Sequence, residues 1–253
     1  MSVGKDMKES HKDSEYTVSQ TVRPSGYVSR LEEIWYGISG PFYDIMTWWC
    51  FLPLGGENAC RKAFVDWFEV ELGHHVLSLC CGTGSTERAL IRAIPSAKVT
   101  AIDLGSGQIT TAKRKDRTGL VDYRVGDACD TGFEPRSFDR VLITLALHEM
   151  PRQLRMSILR EAERVCRPSG RVIAIEHAPL SRWLQRFVRS LWWFGWVPGN
   201  PESSTTKDLQ QRGLANEMKQ AGTRVIRRHT TKPEWIEGIV AEPDRICIDS
   251  DTP

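Results

Sequence analysis

The sequence lacks a C-x-x-C pair, although it contains seven cysteines, at positions 50, 60, 80, 81, 129, 166 and 247. This excludes the zinc-ribbon and thioredoxin motifs, which need two cysteines at that spacing. Scattered cysteines in an odd number predict free, mostly buried thiols in a reducing compartment. No metal site is predicted.

A surplus of charge is also lacking, because 34 basic and 32 acidic side chains leave a net charge of +2. Nucleic acid is therefore not expected as the main partner. The most apolar stretches, 47–54 and 191–197, are far shorter than the roughly 20 residues that span a bilayer. The first 20 residues mix acids and bases without an apolar core, unlike a signal or transit peptide. We expect a soluble, cytoplasmic protein.

Short apolar runs alternate with longer amphipathic segments from residue 75 onwards. The predicted strands are 75–79, 98–102, 121–125, 138–145 and 171–176, and the helices between them are 85–94, 107–117 and 152–166. Such alternation is typical of βαβ units with helices on both faces of a parallel sheet. The sequence therefore predicts an α/β, Rossmann-like, doubly wound fold.

The flanking regions complete the predicted organisation. Residues 1–29 are polar and predict a disordered or loosely packed tail, and 30–72 shows helical spacing. Helices are expected at 180–196 and 208–221, and strands at 223–229 and 235–241 would bring the sheet to seven. One domain would then span 30–242, with an N-terminal helical cap and a helical substrate cover, followed by a tail at 243–253.

The stretch VLSLCCGTGST at 76–86 joins the first predicted strand to a helix. Gly82 and Gly84 allow a sharp turn and a close approach to a ligand at the helix N-terminus. A dinucleotide loop needs a third glycine, but Glu87 stands at that position and would meet the pyrophosphate. S-adenosylmethionine (SAM) carries no phosphate and does not need the third glycine.

The segment V-L-S-L-C-C-G-T-G resembles the V-L-D-L-G-C-G-T-G motif of class I methyltransferases. Further elements follow in the family's order: Asp103 ends the second strand, Gly126-Asp127-Ala128 follow the third, and EAERVCRPSGRVIAIE resembles the R-V-L-K-P-G-G-R region. The resemblance covers about residues 40 to 180. It is closest to the ubiquinone/menaquinone C-methyltransferase (methyltransferase type 11) branch.

The resemblance implies SAM as cofactor and assigns contacts to it. Asp103 would accept the ribose hydroxyls, although it could also cap a helix. Asp127 would contact the adenine amino group, although a turn aspartate is the alternative. Tyr43 would close over the cofactor, or pack as a helix aromatic. The remaining predicted contacts are Ser78, Cys80, Gly82, Thr83, Gly84, Leu104, Ala128 and Leu145.

Two positions depart from the family pattern. Ser78 replaces an acid that helps to hold the cofactor's amino acid end in the family, and Cys80 replaces a glycine that is sometimes alanine. Cofactor handling is expected to differ here. No N/D-P-P-Y motif follows the fourth strand, where the chain has Thr144-Leu145-Ala146-Leu147, and this disfavours methylation of exocyclic amines on nucleobases.

Candidate bases follow the fourth and fifth strands, where His148-Glu149 and Glu176-His177 occur. A phenol or enol acceptor must lose a proton during methyl transfer, so such groups are candidates for catalysis. We predict His148 as base or acceptor orienter, with Glu149 and His177 as further candidates. Packing roles are the alternative. The pair His74-His75 lies at the opposite end of the first strand and is predicted to be structural.

Tryptophans at 48, 49, 192, 193 and 196 favour either helix packing or an apolar acceptor pocket. With the arginines at 182, 186 and 189 they could also form a peripheral membrane contact. The leading hypothesis is a SAM-dependent methyltransferase for a small, apolar or quinone/phenol-like acceptor. The alternatives are a catalytically silent protein that binds SAM or its demethylated product, and an NAD-linked oxidoreductase. The acceptor, the methylated atom and the oligomeric state stay open.

Overall fold

The computed structural model describes residues 55–179, 204–232 and 234–244 of the 253-residue chain. The expectations for residues 1–54, including Tyr43, for the tryptophan- and arginine-rich stretch 180–203 and for the tail from 245 lie outside these residues. The domain bounds predicted above stay a prediction.

Helices and strands alternate along most of the described chain. The helices are α1 (Glu57–Trp67), α2 (Ser85–Ala93), α3 (Ser106–Lys115), α4 (Arg152–Val165), α5 (Ser204–Arg212) and α6 (Leu214–Gln220), with a 3-10 turn at Leu147–Glu149. The strands are β1 (His75–Leu79), β2 (Lys98–Asp103), β3 (Val121–Val125), β4 (Phe138–Thr144), β5 (Cys166–His177), β6 (Thr223–Thr230) and β7 (Ile236–Pro243).

The seven strands form one sheet in the order β3-β2-β1-β4-β5-β7-β6. Strands β1 to β5 are parallel, whereas β7 runs antiparallel to β5 and β6 antiparallel to β7. The order reverses direction between β1 and β4, which places a binding crevice beyond the carboxyl ends of these strands. The predicted doubly wound, mostly parallel sheet is confirmed.

The two sheet faces carry separate apolar cores because side chains alternate along each strand. Leu77 and Ile143 face α4 and α6, where they join a cluster that includes Met218. Val76 and Leu142 belong to the opposite cluster, which contains residues of α1, α2 and α3. Ser78 is in phase with Val76 and is a polar residue on the α2 face.

Three sequence expectations needed correction. The helix predicted at 208–221 is two helices, because Gly213 adopts a φ of 80° between α5 and α6. β5 begins at Cys166, directly after α4, rather than at Arg171. Its register with β4 slips between Phe138 and Arg140, so the stretch with Pro168 and Gly170 forms an irregularity within the strand rather than a connection between helix and strand.

Arg155 of α4 fixes the two C-terminal helices beside the end of β4. Its buried guanidinium donates to both carboxylate oxygens of Glu217 in α6, at 2.8 and 2.7 Å, and to Asp208 in α5 at 2.7 Å. The guanidinium of Arg155 also donates to the backbone carbonyl of Met150, at 2.7 Å. The turn that follows β4 is therefore held against α5 and α6. Among the helices that the structure describes, none is both long and apolar enough to cross a membrane.

Candidate active site

The turn after β1 is shaped by three residues in the left-handed region. Cys80, Gly82 and Gly84 have φ values of 56°, 54° and 74°. Gly84 has a second reason to be glycine, because a Cβ atom there would lie 2.5 Å from the hydroxyl of Tyr123. Cys80 carries strain that glycine would avoid. This conformation accounts for the glycine that the family places at position 80.

Asp103 ties this turn to the end of β2. One carboxylate oxygen accepts a hydrogen bond from the backbone N–H of Gly82 at 2.8 Å, and the other accepts from Gly105 at 2.9 Å. Gly105, not Asp103, is the N-cap residue of α3. Burial raises the pKa of Asp103, and the two backbone hydrogen bonds oppose that rise. Each oxygen keeps a lone pair for a further donor.

The other predicted cofactor contacts lie at neighbouring strand ends. Asp127 follows β3 and accepts from the backbone N–H of Cys129 at 2.8 Å, which is the geometry of a turn aspartate. Ala128 is buried beside it, whereas Leu104 is 53% exposed beyond β2. Leu145 follows β4 with a φ of 53°. Together with buried Thr83 of the glycine turn, these residues surround one edge of the sheet.

Ser78 does not face an open cleft. Its buried hydroxyl donates to Oε1 of Glu87 in α2 at 2.6 Å, and Glu87 itself is 1% exposed. The second carboxylate oxygen of Glu87, Oε2, is buried and has no hydrogen-bond partner. Burial raises the pKa of Glu87, while the Ser78 hydrogen bond acts in the opposite direction. The glycine turn after β1 therefore lies next to a buried carboxylate, which Glu87 of α2 supplies.

The two adjacent cysteines at 80 and 81 are free. Burial raises the pKa of both thiols, and the carboxylate of Asp103 adds to the rise at Cys80. A thiol with a raised pKa is a poor nucleophile and a poor metal ligand. Both side chains therefore serve as small packing groups in this turn.

A histidine–carboxylate pair lies where β4 and β5 end. Nδ1 of His148 is 2.8 Å from Oε2 of Glu176, which is buried at the end of β5. The other oxygen, Oε1, accepts from the backbone N–H groups of Ala146 and Leu147 at 2.9 and 2.6 Å. Glu176 is thus fixed by the turn that carries His148. Its hydrogen bond assigns the proton of neutral His148 to Nδ1 and leaves Nε2 as the acceptor.

The electrostatics of this pair stabilise the protonated form of His148. Burial lowers the pKa of His148, but the charge of Glu176 and its hydrogen bond outweigh burial, so the pKa lies above the usual 6.5. Burial raises the pKa of Glu176, but the charge and hydrogen bond of His148 outweigh it, so the net pKa is lowered. The two shifts describe one coupled pair.

The two other candidate catalytic residues also surround this pair. The rings of His177 and His148 meet edge to face with centroids 4.7 Å apart. Desolvation and then the charge of His148 lower the pKa of His177, although the residue stays exposed, so solvent screens the shift. Glu149 is exposed, with an oxygen 3.8 Å from Nε2 of His148.

The histidine pair and the glycine turn adjoin each other. Both Asp103 and Glu176 act on Cys80 and raise the pKa of its thiol. Burial raises the pKa of Glu149, and the charges of Glu176 and Asp103 add to the rise, while that of His148 opposes it. By contrast, His75 lies at the far end of β1, where its backbone N–H donates to Asp139. Of the histidines considered in the sequence analysis, His148 and His177 therefore lie at this site and His75 does not.

Sequence reasoning assigned no functional role to Glu87, and it named Glu176 only as part of the Glu176-His177 cluster, without assigning it as the partner of His148. For Glu176, the alternation of β5 was a usable signal, because it places this acid in line with buried Ala174 and Val172. For Glu87, its place on the same helical face as Leu90 and Ile91 was the signal. Their partners, Ser78 and His148, were found from the sequence, but the pairings required the fold.

Known proteins share both the sequence pattern and the fold. Residues 76–170 match the family model described as a methyltransferase domain. Demethylmenaquinone methyltransferase of Lactobacillus johnsonii is 33% identical over 141 residues, which is 54% of this chain and 56% of that protein. The ubiquinone/menaquinone biosynthesis C-methyltransferase of Paracoccus denitrificans is 30% identical over 151 residues, covering 56% and 58%. The chain thus spans less than two thirds of the length of either relative.

Solved structures agree on the fold. A SAM-dependent methyltransferase from Aquifex aeolicus superposes with a TM-score of 0.55 at 19% identity, covering 72% of this chain and 88% of that one. The PH0226 protein of Pyrococcus horikoshii gives a TM-score of 0.57 at 20% identity with the same coverage. The predicted resemblance to class I methyltransferases is confirmed.

Proposed function

We propose that this chain, which resembles class I methyltransferases in sequence and fold, is a SAM-dependent methyltransferase whose small acceptor gives up a proton to His148. The observation that carries this proposal is the buried Glu176–His148 pair, set beside the glycine turn. A carboxylate-oriented imidazole is an arrangement that serves general bases in enzymes.

The residues at the strand ends fit SAM in charge and in hydrogen-bonding type. Asp103 and Asp127 offer carboxylate oxygens with lone pairs that could accept hydroxyl and amino donors. Glu87 adds a negative charge in the first turn of α2, where a pyrophosphate would otherwise bind. An anionic dinucleotide is repelled there, whereas a sulfonium and an ammonium are attracted. This charge pattern supports SAM over NAD.

In the proposed complex, Asp103 holds the ribose and Asp127 the adenine, while Gly82 and Gly84 let the backbone approach the ligand. Leu104, Ala128 and Leu145 line the nucleoside side. The cofactor, when bound, supplies an electrophilic methyl group on a sulfonium sulfur. The task of the protein is to place the acceptor in line with that group and to remove its proton.

His148 performs the proton removal in this proposal. Its Nδ1–H donates to Glu176, so Nε2 accepts the proton from the acceptor's hydroxyl or acidic carbon. The resulting imidazolium is stabilised by the Glu176 carboxylate, which is itself held by two backbone N–H groups. Because this carboxylate raises the pKa of His148, the base is stronger than a free imidazole but is available only as the pH rises through its raised pKa.

We propose a quinol- or phenol-like acceptor. The two relatives above are named for demethylmenaquinone and for ubiquinone/menaquinone biosynthesis, and the chain shares about 30% of its residues with them over the matched part. A reduced quinone carries ionisable hydroxyl groups on an apolar ring system. It therefore combines the proton that His148 would remove with the apolar character that the sequence favours.

Binding and turnover test this proposal together. Calorimetric titration should detect binding of S-adenosylhomocysteine (SAH), the demethylated product of SAM, and should detect no binding of NAD. Methyl transfer from labelled SAM to a panel of naphthoquinols and phenols, followed by mass spectrometry, should yield a labelled product. His148→Gln should abolish transfer while keeping SAH binding, and His74→Gln, at the opposite end of β1, serves as the matched control. NAD binding without SAH binding would refute the proposal, and SAH binding with no transfer to any acceptor would favour a silent binding protein.

A further inference from the structure

Glu87 is a buried carboxylate with half of its hydrogen-bonding capacity unused. Its Oε1 is bound by the Ser78 hydroxyl at 2.6 Å, while Oε2 is buried without a partner. Leaving a buried carboxylate oxygen unpaired is costly, because neither water nor a donor compensates it. In a native protein, such a group calls for a ligand or a functional reason.

The position of this oxygen relates it to the proposed cofactor site. Ser78 lies in β1 two residues before Cys80, and Glu87 lies in the turn of α2 that follows Gly84 directly. The neighbouring Thr86 hydroxyl lies 3.2 Å from that of Thr144, at the end of β4. The first turn of α2 thus reaches across the carboxyl ends of β1 and β4, where the sheet order reverses.

The negative charge of Glu87 has no ion-pair partner among the described residues. Arg61 and Arg88 lower the pKa of Glu87, but neither forms an ion pair with it in the described chain, and burial still raises the pKa overall. Arg88 instead donates to the carbonyl of Thr83 and to Ser85, and Arg61 donates to Thr86. A ligand ammonium would supply the positive charge and the N–H donor that Oε2 lacks.

We propose that Glu87, oriented by Ser78, binds the ammonium group of the cofactor's amino acid end, so that the helix supplies the carboxylate that the strand lacks. This inference rests on the proposed SAM-dependent function and assigns a residue that the glycine-loop pattern does not include. Ser78 acts as a positioning residue, since its hydroxyl is used by Glu87. Position 78 lacks the acid of the family pattern, and Glu87 of α2 supplies the carboxylate instead.

The test compares two ligands that differ in the amino acid end. SAH carries the ammonium, whereas 5′-methylthioadenosine has the same nucleoside and thioether without it. Titration calorimetry of the full chain should show that Glu87→Gln weakens SAH binding by about tenfold or more, as expected for a buried charged hydrogen bond. The affinity for 5′-methylthioadenosine should change by less than about twofold, because its contacts are with other residues.

A second variant and a control sharpen the comparison. Ser78→Ala should weaken SAH binding in the same selective way but by a smaller factor, and it carries the test if Glu87→Gln loses its cooperative thermal unfolding. Asp103→Asn should weaken both ligands, because both contain the ribose. Equal effects of Glu87→Gln on the two ligands, or no effect on either, would overturn this inference alone. Failure of the unmodified chain to bind either ligand would instead overturn the proposed function.

Discussion

Replacing Glu176 by glutamine should remove the negative charge of the histidine–carboxylate pair while keeping the size and shape of the side chain. The amide oxygen can still accept from the backbone N–H groups of Ala146 and Leu147, but the amide NH₂ then faces Nδ1 of His148. Nδ1 must become the acceptor and the proton moves to Nε2. The variant therefore loses the charge that raises the pKa of His148 and also the free Nε2 of the proposed base.

The expected loss of stability depends on pH. Because the pKa of His148 is raised in the folded protein, the pair stabilises the fold fully below the unfolded value of 6.5, and this contribution disappears as the pH rises through the folded pKa. A buried hydrogen bond to a charged group contributes about 1.5–3 kcal/mol. We therefore expect Glu176→Gln to lower the free energy of unfolding by about 2 kcal/mol at pH 6 and by much less at pH 9.

Urea unfolding followed by tryptophan fluorescence measures this difference, since the chain has nine tryptophans. Glu237→Gln is the matched control, because Glu237 stands opposite Glu176 in the β5–β7 register but does not contact His148 in the described structure. Its effect should change much less between pH 6 and pH 9, because Glu237 does not contact the imidazole that titrates in this range. An equal loss for Glu176→Gln at pH 6 and pH 9 would refute the reasoning, since Glu176 would then act only through the backbone N–H groups.

Two further predictions concern the turn and the base. Gly84→Ala should lower the free energy of unfolding by about 2–4 kcal/mol, because its Cβ would overlap the ring of Tyr123 and its backbone is left-handed. Gly82 also has a left-handed φ, of 54°, but a Cβ there would meet no atom within 4 Å. Gly82→Ala should therefore lower the free energy of unfolding by only about 1 kcal/mol. Equal losses in thermal or urea unfolding would show that the tyrosine contact is unimportant. Methyl-transfer rates should rise with pH through a pKa above 6.5, because only neutral His148 accepts a proton, and a pH-independent rate would exclude that role.

The sheet was the most predictable part of the molecule. The predicted bounds of β1 and β3 match the structure at both ends, and β2 and β4 each differ by one residue. Central parallel strands are buried on both faces, so they read as short continuous apolar runs between polar segments. The resemblance to class I methyltransferases depends on the residues in the loops that follow these strands. It was also confirmed, by the family model and the relatives reported above.

The parts that failed depend on local conformations that periodicity does not report. Apolar spacing continues across Gly213, so α5 and α6 were predicted as one helix although the glycine breaks the hydrogen-bond ladder there. The residues between the predicted helix 152–166 and the predicted strand 171–176 were left as a connection, but the bulged register of β5 accommodates Pro168 and Gly170 within the strand. In each case the correct element type was recognised and its boundary was wrong.

The candidate site was predictable as a set of positions but not as a set of pairs. His148, Glu149 and His177 were chosen because strand ends meet at one edge of a parallel sheet, and the structure brings them together there. The carboxylate that orients His148 comes from a neighbouring strand and could not be assigned from spacing alone. The same holds for Ser78, where the sequence indicated a missing acid and the structure places Glu87 against it.

The most direct measurement is the transfer of a deuterated methyl group from SAM to a naphthoquinol acceptor. The rate is compared between the unmodified chain and His148→Gln, after titration has shown that the two proteins bind SAH with equal affinity. We expect labelled acceptor with the unmodified chain and a rate lower by about a hundredfold or more with the variant, which is the size of general-base catalysis. Equal rates in the two proteins, or NAD binding in place of SAH binding, would contradict it.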